Sequence, residues 1–106
     1  MNSHKEVNIP KIEQSILKIS NLVKEVAVFI HNNHLFALIY PDFEEAKNRK
    51  IIRLVNEIRW YAVELYNIEA PKDQKIKGYQ IVQTSLPKDA KGEVERSELE
   101  KFMKKQ

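Results

Sequence analysis

The sequence predicts a small α+β domain with a roughly three-stranded sheet, an antiparallel hairpin plus one strand, covered by helices. Two alternating, largely apolar runs flank a pair of asparagines, which is typical of a hairpin. Apolar residues at helical spacing precede and follow this hairpin, and a third short apolar run comes after a proline. With 106 residues the chain has room for one modest core, so residues 1–106 are expected to form a single domain.

The first element is expected to be a short amphipathic helix. Asn8 is suited to cap its N-terminus, and Pro10 falls in its first turn. Its apolar face carries Ile12, Ile16 and Ile19.

The two strands of the hairpin correspond to "KEVAVFI" and "LFALIY", which place the hairpin over residues 26–40. Both faces of the first strand are apolar, so we expect the sheet to be covered on both sides. Asn32 and Asn33 tolerate a positive φ and are expected at the turn.

A long helix is expected after the hairpin. Pro41 should end the second strand, and Asp42 followed three residues later by Glu45 is a capping-box pattern. The helix is predicted to run to about Tyr66, with an irregularity near Asn48. Its apolar residues at helical spacing are Ile51, Leu54, Val55, Ile58, Tyr61, Ala62 and Leu65. Those expected to pack on the sheet are Ile51, Val55, Ile58 and Ala62.

The last elements follow a loop that Pro71 imposes. "IKGYQIVQT" contains the third strand, around Ile81. "RSELEKFMKK" should close the chain as a short helix that buries Leu99, Phe102 and Met103.

Charge and composition exclude several classes of function. The 18 basic and 15 acidic residues are interleaved, for a net charge of +3, which is typical of a solvated surface rather than a nucleic-acid-binding one. With no cysteine, disulfides and thiolate chemistry are excluded.

The N-terminus lacks a signal-peptide core, and the longest uncharged stretch, residues 26–41, is too short to span a bilayer as a helix. We expect a cytoplasmic protein with no nucleic-acid partner and no transmembrane segment, with residues 1–6 flexible or foreign to the natural protein and residues 104–106 loose.

Three side-chain groups have both a functional and a structural interpretation. His31 and His34 are candidate metal ligands, but a site needs three or four convergent ligands, so polar turn residues are the favoured interpretation and no metal is predicted. Trp60, Tyr61 and Tyr66 are able to stack on a base or ring, but their spacing favours packing in the core and at its rim.

The third group is Lys72, Lys75 and Lys77, which are candidate phosphate ligands but are more typical of a solvated loop. A glycine-rich phosphate loop is excluded, because Gly78 and Gly92 are the only glycines. The residues by themselves therefore predict a domain without a self-contained active site.

Three segments resemble one family. "VNIPKIEQSI" is similar to an I-x-P-x-x-I-E motif, and "VKEVAVFIHNNHLFALIYPDFEE" is similar to a strand pair ending in A-L-I-x-P-x-F-E. "LPKDAKGEVERSEL", residues 86–99, is similar to a closing motif L-P-x-x-x-x-G-K-x-x-R. In this order they resemble the C-terminal lid domain of the AMP-forming acyl-CoA synthetases, the superfamily of firefly luciferase and peptide-synthetase adenylation domains. The hairpin is most similar to that of long-chain fatty-acid-CoA ligases.

The resemblance implies a ligase that makes an acyl-adenylate from a fatty acid and ATP, and then a thioester with CoA. ATP, Mg²⁺ and CoA would be bound by the full-length parent, whose N-terminal adenylation domain is the lid's partner. The isolated domain is expected to need no cofactor and to be inactive, and to approach membranes only through its parent. The alternative hypothesis is a stand-alone α+β binding or regulatory module without catalysis.

The resemblance also implies site residues, with one departure. Arg96 matches the arginine of the closing motif, and the loop at Gly92 would face the nucleotide in the parent. The catalytic lysine of the family falls at Glu93, and Lys91 is a candidate substitute because glycine lets the loop turn either way. The alternative is that this loop is a solvated connector. The glycine-rich hinge that precedes the first helix in the family is reduced here to "HKEVNIP".

Overall fold

A computed structural model describes residues 8–105 of the chain. The expectation for residues 1–6 therefore lies outside the described residues. The helices and strands are α1 (Ile9–Ile19), β1 (Val23–His31), β2 (His34–Pro41), α2 (Phe43–Asn48), α3 (Leu54–Ile58), α4 (Glu64–Glu69), β3 (Gly78–Ile81) and α5 (Leu99–Lys105). A π-helical segment, Arg59–Val63, joins α3 to α4, and short 3₁₀ turns lie at Lys72–Gln74 and Arg96–Glu98. This is the predicted α+β class.

The sheet has the order β1-β2-β3, so β2 is its central strand. β1 and β2 pair antiparallel, and β3 runs parallel to β2. A parallel pair needs a crossover, which the chain between the end of β2 and the start of β3, residues 42–77, supplies. The turn between β1 and β2 is as predicted, because Asn32 and Asn33 have φ of 51° and 66°, the combination that a two-residue hairpin turn requires.

Both faces of the sheet are covered, as the two apolar faces of β1 predict. On one face Val28 packs with Ile16 of α1 and Ile58 of α3. On the other face Ala27 packs with Leu99 of α5. Phe102 and Met103 border this second cluster but are only partly buried. Lys104 and Lys105 belong to α5 rather than to a loose end.

The predicted caps are present. The Asn8 side chain accepts a hydrogen bond from the Lys11 N–H, and the Asp42 carboxylate accepts one from the Glu45 N–H. The Glu45 side chain does not return to the cap but pairs with Arg49 at 2.9 Å.

The predicted long helix is broken in two, which corrects its expected course. Lys50 has φ of 58°, the Lys50 N–H bonds the Lys47 carbonyl, and the Ile51 N–H bonds the Ala46 carbonyl. These are the two bonds of a Schellman helix end, here with lysine where glycine is usual. The helix therefore ends at Asn48, where only an irregularity was expected.

The buried face of the second half also differs from the prediction. Ile58 and Ala62 are buried as expected, but Val55 is 52% exposed and Trp60 is 56% exposed. The π-helical segment inserts extra backbone into the turn and changes which residues face the sheet. As a result the buried set is Ile58, Ala62, Val63 and Tyr66, and Tyr61 and Leu65 are exposed. Ile19, also predicted in the core, is 37% exposed.

Candidate functional site

The candidate site is the connection from β3 to α5, residues 87–95, which we call the Gly92 loop. Its two arms form a short antiparallel bridge between Lys88 and Val94. The Glu95 N–H donates to the Pro87 carbonyl at 2.8 Å. The loop is therefore a closed hairpin with its own backbone hydrogen bonds.

The tip of the Gly92 loop is organised by one side chain. A carboxylate oxygen of Asp89 accepts hydrogen bonds from the backbone N–H groups of Lys91 at 2.9 Å and Glu93 at 3.0 Å. The Asp89 N–H donates to the Glu93 carbonyl at 2.7 Å, and the Gly92 N–H donates to the Asp89 carbonyl at 3.0 Å. These bonds fix the course of the backbone at the tip.

Gly92 adopts φ of +84°, in the left-handed region that side chains disfavour. A Cβ atom at this position would meet no atom within 4 Å. Glycine is therefore favoured here by backbone conformation and not by lack of space.

The first arm of the loop is tied to β1 through Glu25. Its carboxylate accepts hydrogen bonds from the Leu86 N–H at 2.9 Å and the Ser85 hydroxyl at 3.0 Å, and pairs with the Lys88 ammonium at 3.0 Å. Partial burial, the largest single influence, raises the pKa of Glu25, but the bonds from Leu86, Lys88 and Ser85 together outweigh it. The pKa of Glu25 consequently lies below its ordinary value.

The second arm is tied to β1 through Arg96. Its guanidinium donates to the Val28 carbonyl at 3.1 Å and to the Glu13 carboxylate at 2.8 Å. The other oxygen of Glu13 accepts the Val28 N–H at 2.7 Å.

The residues that the resemblance assigned to the site fall in two places. Lys91 and Glu93 are together at the exposed tip, on either side of Gly92. Neither side chain forms a hydrogen bond or ion pair with any residue between 8 and 105. Arg96 lies at the base of the loop, bound to Glu13. The tip therefore displays one cation and one anion to solvent.

Glu13 and Glu25 were not singled out by sequence reasoning. Glu25 had a detectable signal, since it is the one acidic residue of β1 and directly precedes the apolar run of that strand. Glu13 corresponds to the glutamate that ends the I-x-P-x-x-I-E motif, but an acidic residue on a short helix is ordinarily solvated, so the motif gave no indication of its role.

The other predicted groups lie away from the loop tip. The Lys75 ammonium bonds the Asn67 carbonyl, and the Ala70 carbonyl at 3.0 Å, so it caps the C-terminus of α4. His31 lies 3.5 Å from the Glu100 carboxylate of α5. Within residues 8–105, no three or more His, Cys, Asp or Glu side chains are grouped so that they could hold a metal ion. None of the helices in the same range has the length and apolar character needed to cross a membrane.

A groove of about 700 Å³ lies between α1 and the end of α4. Its walls include Ile12, Ile19, Leu65 and Pro71, with Lys11 and Glu69 at the rim. It is on a different part of the surface from the Gly92 loop, and none of its lining residues belongs to that loop.

Comparison with known proteins agrees with this architecture. A solved benzoate CoA ligase from Burkholderia xenovorans LB400 has a similar fold, with a TM-score of 0.67 and 18% sequence identity. The likeness covers 91% of this chain and 19% of the ligase, so the chain spans about a fifth of that enzyme's length. The search of curated proteins gives no significant match. The sequence model of the AMP-binding enzyme C-terminal domain matches residues 1–106. Because the match spans the whole chain, this protein belongs to the family of AMP-binding enzyme C-terminal domains.

Proposed function

We propose that this chain is the lid domain of an AMP-forming ligase that joins a carboxylic acid to CoA. Its partner would be the N-terminal adenylation domain of the same polypeptide. Membership of the family supports this proposal. The observation that carries it is the Gly92 loop, a closed hairpin that presents an exposed tip from a base fixed to the sheet.

The reaction has two half-reactions. In the first, a carboxylate oxygen of the acid attacks the α-phosphorus of ATP and pyrophosphate leaves. In the second, the CoA thiol attacks the acyl carbonyl and AMP leaves. Negative charge increases on the α-phosphate oxygens in the first transition state, so a preorganised cation selectively accelerates that step. The lid would bring the loop tip to the phosphate for the first half-reaction and turn it away for the second.

Within the Gly92 loop, Lys91 is the residue suited to provide this cation. Lys88, the other lysine of the loop, is paired with Glu25. Lys91 is exposed, and its backbone N–H is held by Asp89. A lysine about 4 Å from a phosphate oxygen contributes on the order of 4 kcal/mol at an effective dielectric constant of ~20, which corresponds to roughly three decades in rate. Glu93 at the tip would oppose it.

The magnesium ion and the ATP phosphates are proposed to bind to the larger domain. The donors between residues 8 and 105 do not fit a metal ion, since they form no group of three or more possible ligands. We therefore assign no step of the reaction to a metal bound by this chain.

For the acid, the hairpin sequence that resembles long-chain fatty-acid-CoA ligases supports a long-chain fatty acid as substrate. The structural relative is described as a benzoate CoA ligase, so aromatic acids are the competing class. Pyrophosphate exchange by the full-length ligase with long-chain, short-chain and aromatic acids distinguishes them. The highest rate is expected with a long-chain acid, and a preference for benzoate would overturn this assignment.

Two experiments test the proposed function. Titration calorimetry of the 106-residue chain with ATP should show no binding tighter than millimolar, whereas micromolar binding would favour a stand-alone binding module. In the full-length ligase, Lys91→Ala should lower pyrophosphate exchange by up to about three decades and leave thioester formation from synthetic acyl-adenylate nearly unchanged.

Glu93→Lys and Lys72→Ala complete the second experiment. Glu93→Lys should raise the exchange rate, because it removes an opposing charge and adds a second cation at the tip. Lys72, an exposed lysine of the crossover, is the matched control, and Lys72→Ala should leave both half-reactions unchanged. If neither Lys91→Ala nor Glu93→Lys changes exchange by threefold, the loop is a connector and not a catalytic element.

A further inference from the structure

Both arms of the Gly92 loop are fastened to the same strand. Glu25 of β1 holds Leu86 and Lys88 on the first arm. On the second arm, Arg96 bonds the Val28 carbonyl, also in β1. The orientation of the loop relative to the sheet therefore depends on two attachments that lie about three residues apart on one strand.

β1 is an edge strand of the sheet that the described residues form, since it pairs only with β2. At Val28 the backbone N–H donates to Glu13 and the carbonyl accepts from Arg96. These are the two bonds that a neighbouring strand would make to an edge residue. The Glu13–Arg96 ion pair thus takes the place of a strand at the edge of β1 and protects this edge from pairing with another chain.

Glu13, Arg96 and the backbone of Val28 form a closed hydrogen-bond network, in which the Glu13 carboxylate is mostly shielded from solvent. The Glu13 side chain is 12% exposed and uses both of its oxygens, one for Arg96 and one for Val28. The Arg96 side chain is 45% exposed and donates through two nitrogens. Loss of the Arg96 side chain would therefore release the second arm from β1, and loss of the Glu13 side chain would leave the arm held only by the Arg96 bond to the Val28 carbonyl.

We propose that Glu13 and Glu25 are positioning residues that fix the Gly92 loop on the edge of β1, and that Arg96 serves adenylation through Glu13 and Val28 rather than by contact with the nucleotide. This inference rests on the proposed lid function. A catalytic group displaced by about 1 Å loses on the order of 100-fold in rate, so the fastening is a requirement of the chemistry at Lys91.

The first test measures the position of the loop in the 106-residue chain without reference to activity. The chain has no cysteine, so Glu93→Cys and His34→Cys introduce the only two spin-labelling sites, one at the loop tip and one on β2. Double electron–electron resonance should give a narrow distance distribution between the labels. Adding Glu13→Gln or Glu25→Gln should broaden it, and the two together should broaden it most.

Glu45→Gln is the matched control, because Glu45 pairs with Arg49 on the surface of α2 away from the loop. It should leave the distribution unchanged. Thermal unfolding of each variant reports whether the fold is retained. If Glu13→Gln does not fold, Arg96→Lys provides the same measurement, since lysine keeps the charge but lacks the two-nitrogen geometry needed to reach both Glu13 and Val28.

The second test measures the consequence in the full-length ligase. Glu13→Gln and Glu25→Gln should each lower kcat of pyrophosphate exchange at least tenfold, with KM for ATP and thioester formation from synthetic adenylate within twofold. An unchanged distance distribution in a folded Glu13→Gln variant overturns the positioning role, whatever the activity. A broadened distribution in a ligase that Lys91→Ala leaves fully active confirms the fastening and overturns the proposed function instead.

Discussion

Two lysine-bearing loops flank β3, and Lys75 in the first and Lys91 in the second have opposite environments. In the crossover before β3, Lys75 bonds the carbonyls of Asn67 and Ala70 and so contributes to the fold. In the Gly92 loop after β3, Lys91 is exposed at the tip, and the fastening is done by carboxylates from α1 and β1. The Lys75 ammonium is bound to carbonyls at the end of α4 and is therefore not available to a ligand, whereas the loop that carries Lys91 is held by carboxylates and leaves this lysine free to meet one.

The crossover is fastened internally. The Asn67 amide accepts the Ile76 N–H at 2.8 Å and donates to the Ile76 carbonyl at 3.0 Å. The Tyr66 hydroxyl donates to the Gln74 carbonyl at 2.7 Å, and burial raises the pKa of Tyr66. These hydrogen bonds of the crossover join residues within nine positions of one another. The hydrogen bonds between β1 and the arms of the Gly92 loop join residues more than sixty positions apart.

The largest effect on stability is expected from Asn67→Ala. This change leaves both backbone groups of Ile76 without their partner, and Ile76 is buried. The free energy of unfolding should fall by about 2–4 kcal/mol in urea denaturation. Asn56→Ala, at an exposed position of α3, is the control and should change it by no more than about 0.5 kcal/mol. Equal effects of the two changes would contradict the internal fastening of the crossover.

The two glycines should respond to alanine for different reasons. At Gly78 a Cβ atom would lie 2.8 Å from the Phe36 ring, so Gly78→Ala should cost about 1–3 kcal/mol by overpacking, and Phe36→Leu should restore part of the loss. At Gly92 the penalty is conformational, about 1 kcal/mol, and no neighbouring substitution should relieve it. Thermal unfolding of the two single variants and of the Gly78→Ala, Phe36→Leu double variant measures this. A rescue of Gly92→Ala by a smaller neighbour would contradict the distinction.

The lysines themselves provide a direct test of the comparison. Lys75→Met should destabilise the domain by about 1–2 kcal/mol, because the end of α4 loses its cap. Lys91→Met should change the free energy of unfolding by less than about 0.5 kcal/mol. The Lys91 side chain is exposed and donates no hydrogen bond to any residue between 8 and 105. Chemical denaturation of both variants is the measurement. A larger loss for Lys91→Met would show that the tip lysine is structural.

The smallest effect is expected from Glu25→Gln, in the pH dependence of the free energy of unfolding. The pKa of Glu25 is lowered in the folded protein, so its ionised form stabilises the fold above its ordinary pKa of 4.5. This contribution is lost as the pH falls through the lowered folded value. Glu25→Gln should therefore make the decline in stability below about pH 4.5 shallower, with little change in slope near neutrality. Urea denaturation over a pH series tests this, and Glu45→Gln, on the surface of α2, is its control.

Much of the fold was predictable where the determining interactions are local. The Asn32–Asn33 turn and the cap of Asp42 depend on residues within a few positions, and both were predicted. The helix end at Lys50 was predicted only as an irregularity. A lysine in the left-handed conformation has no sequence signal comparable to that of glycine. The exposure of Tyr61 and Leu65 was missed because a π-helical segment, Arg59–Val63, changes the helical period that the prediction assumed.

By itself, then, the sequence determined the fold class, the hairpin, the helix caps and the position of the Gly92 loop, since each depends on short-range periodicity or backbone preference. Only the tertiary structure decided which lysine is a cap and which is displayed, and which carboxylates hold the loop. Glu13 and Arg96 are separated by 83 positions, and Glu25 and Leu86 by 61. Contacts of that separation are created by packing of the sheet against its helices, so no local pattern in the chain carries them.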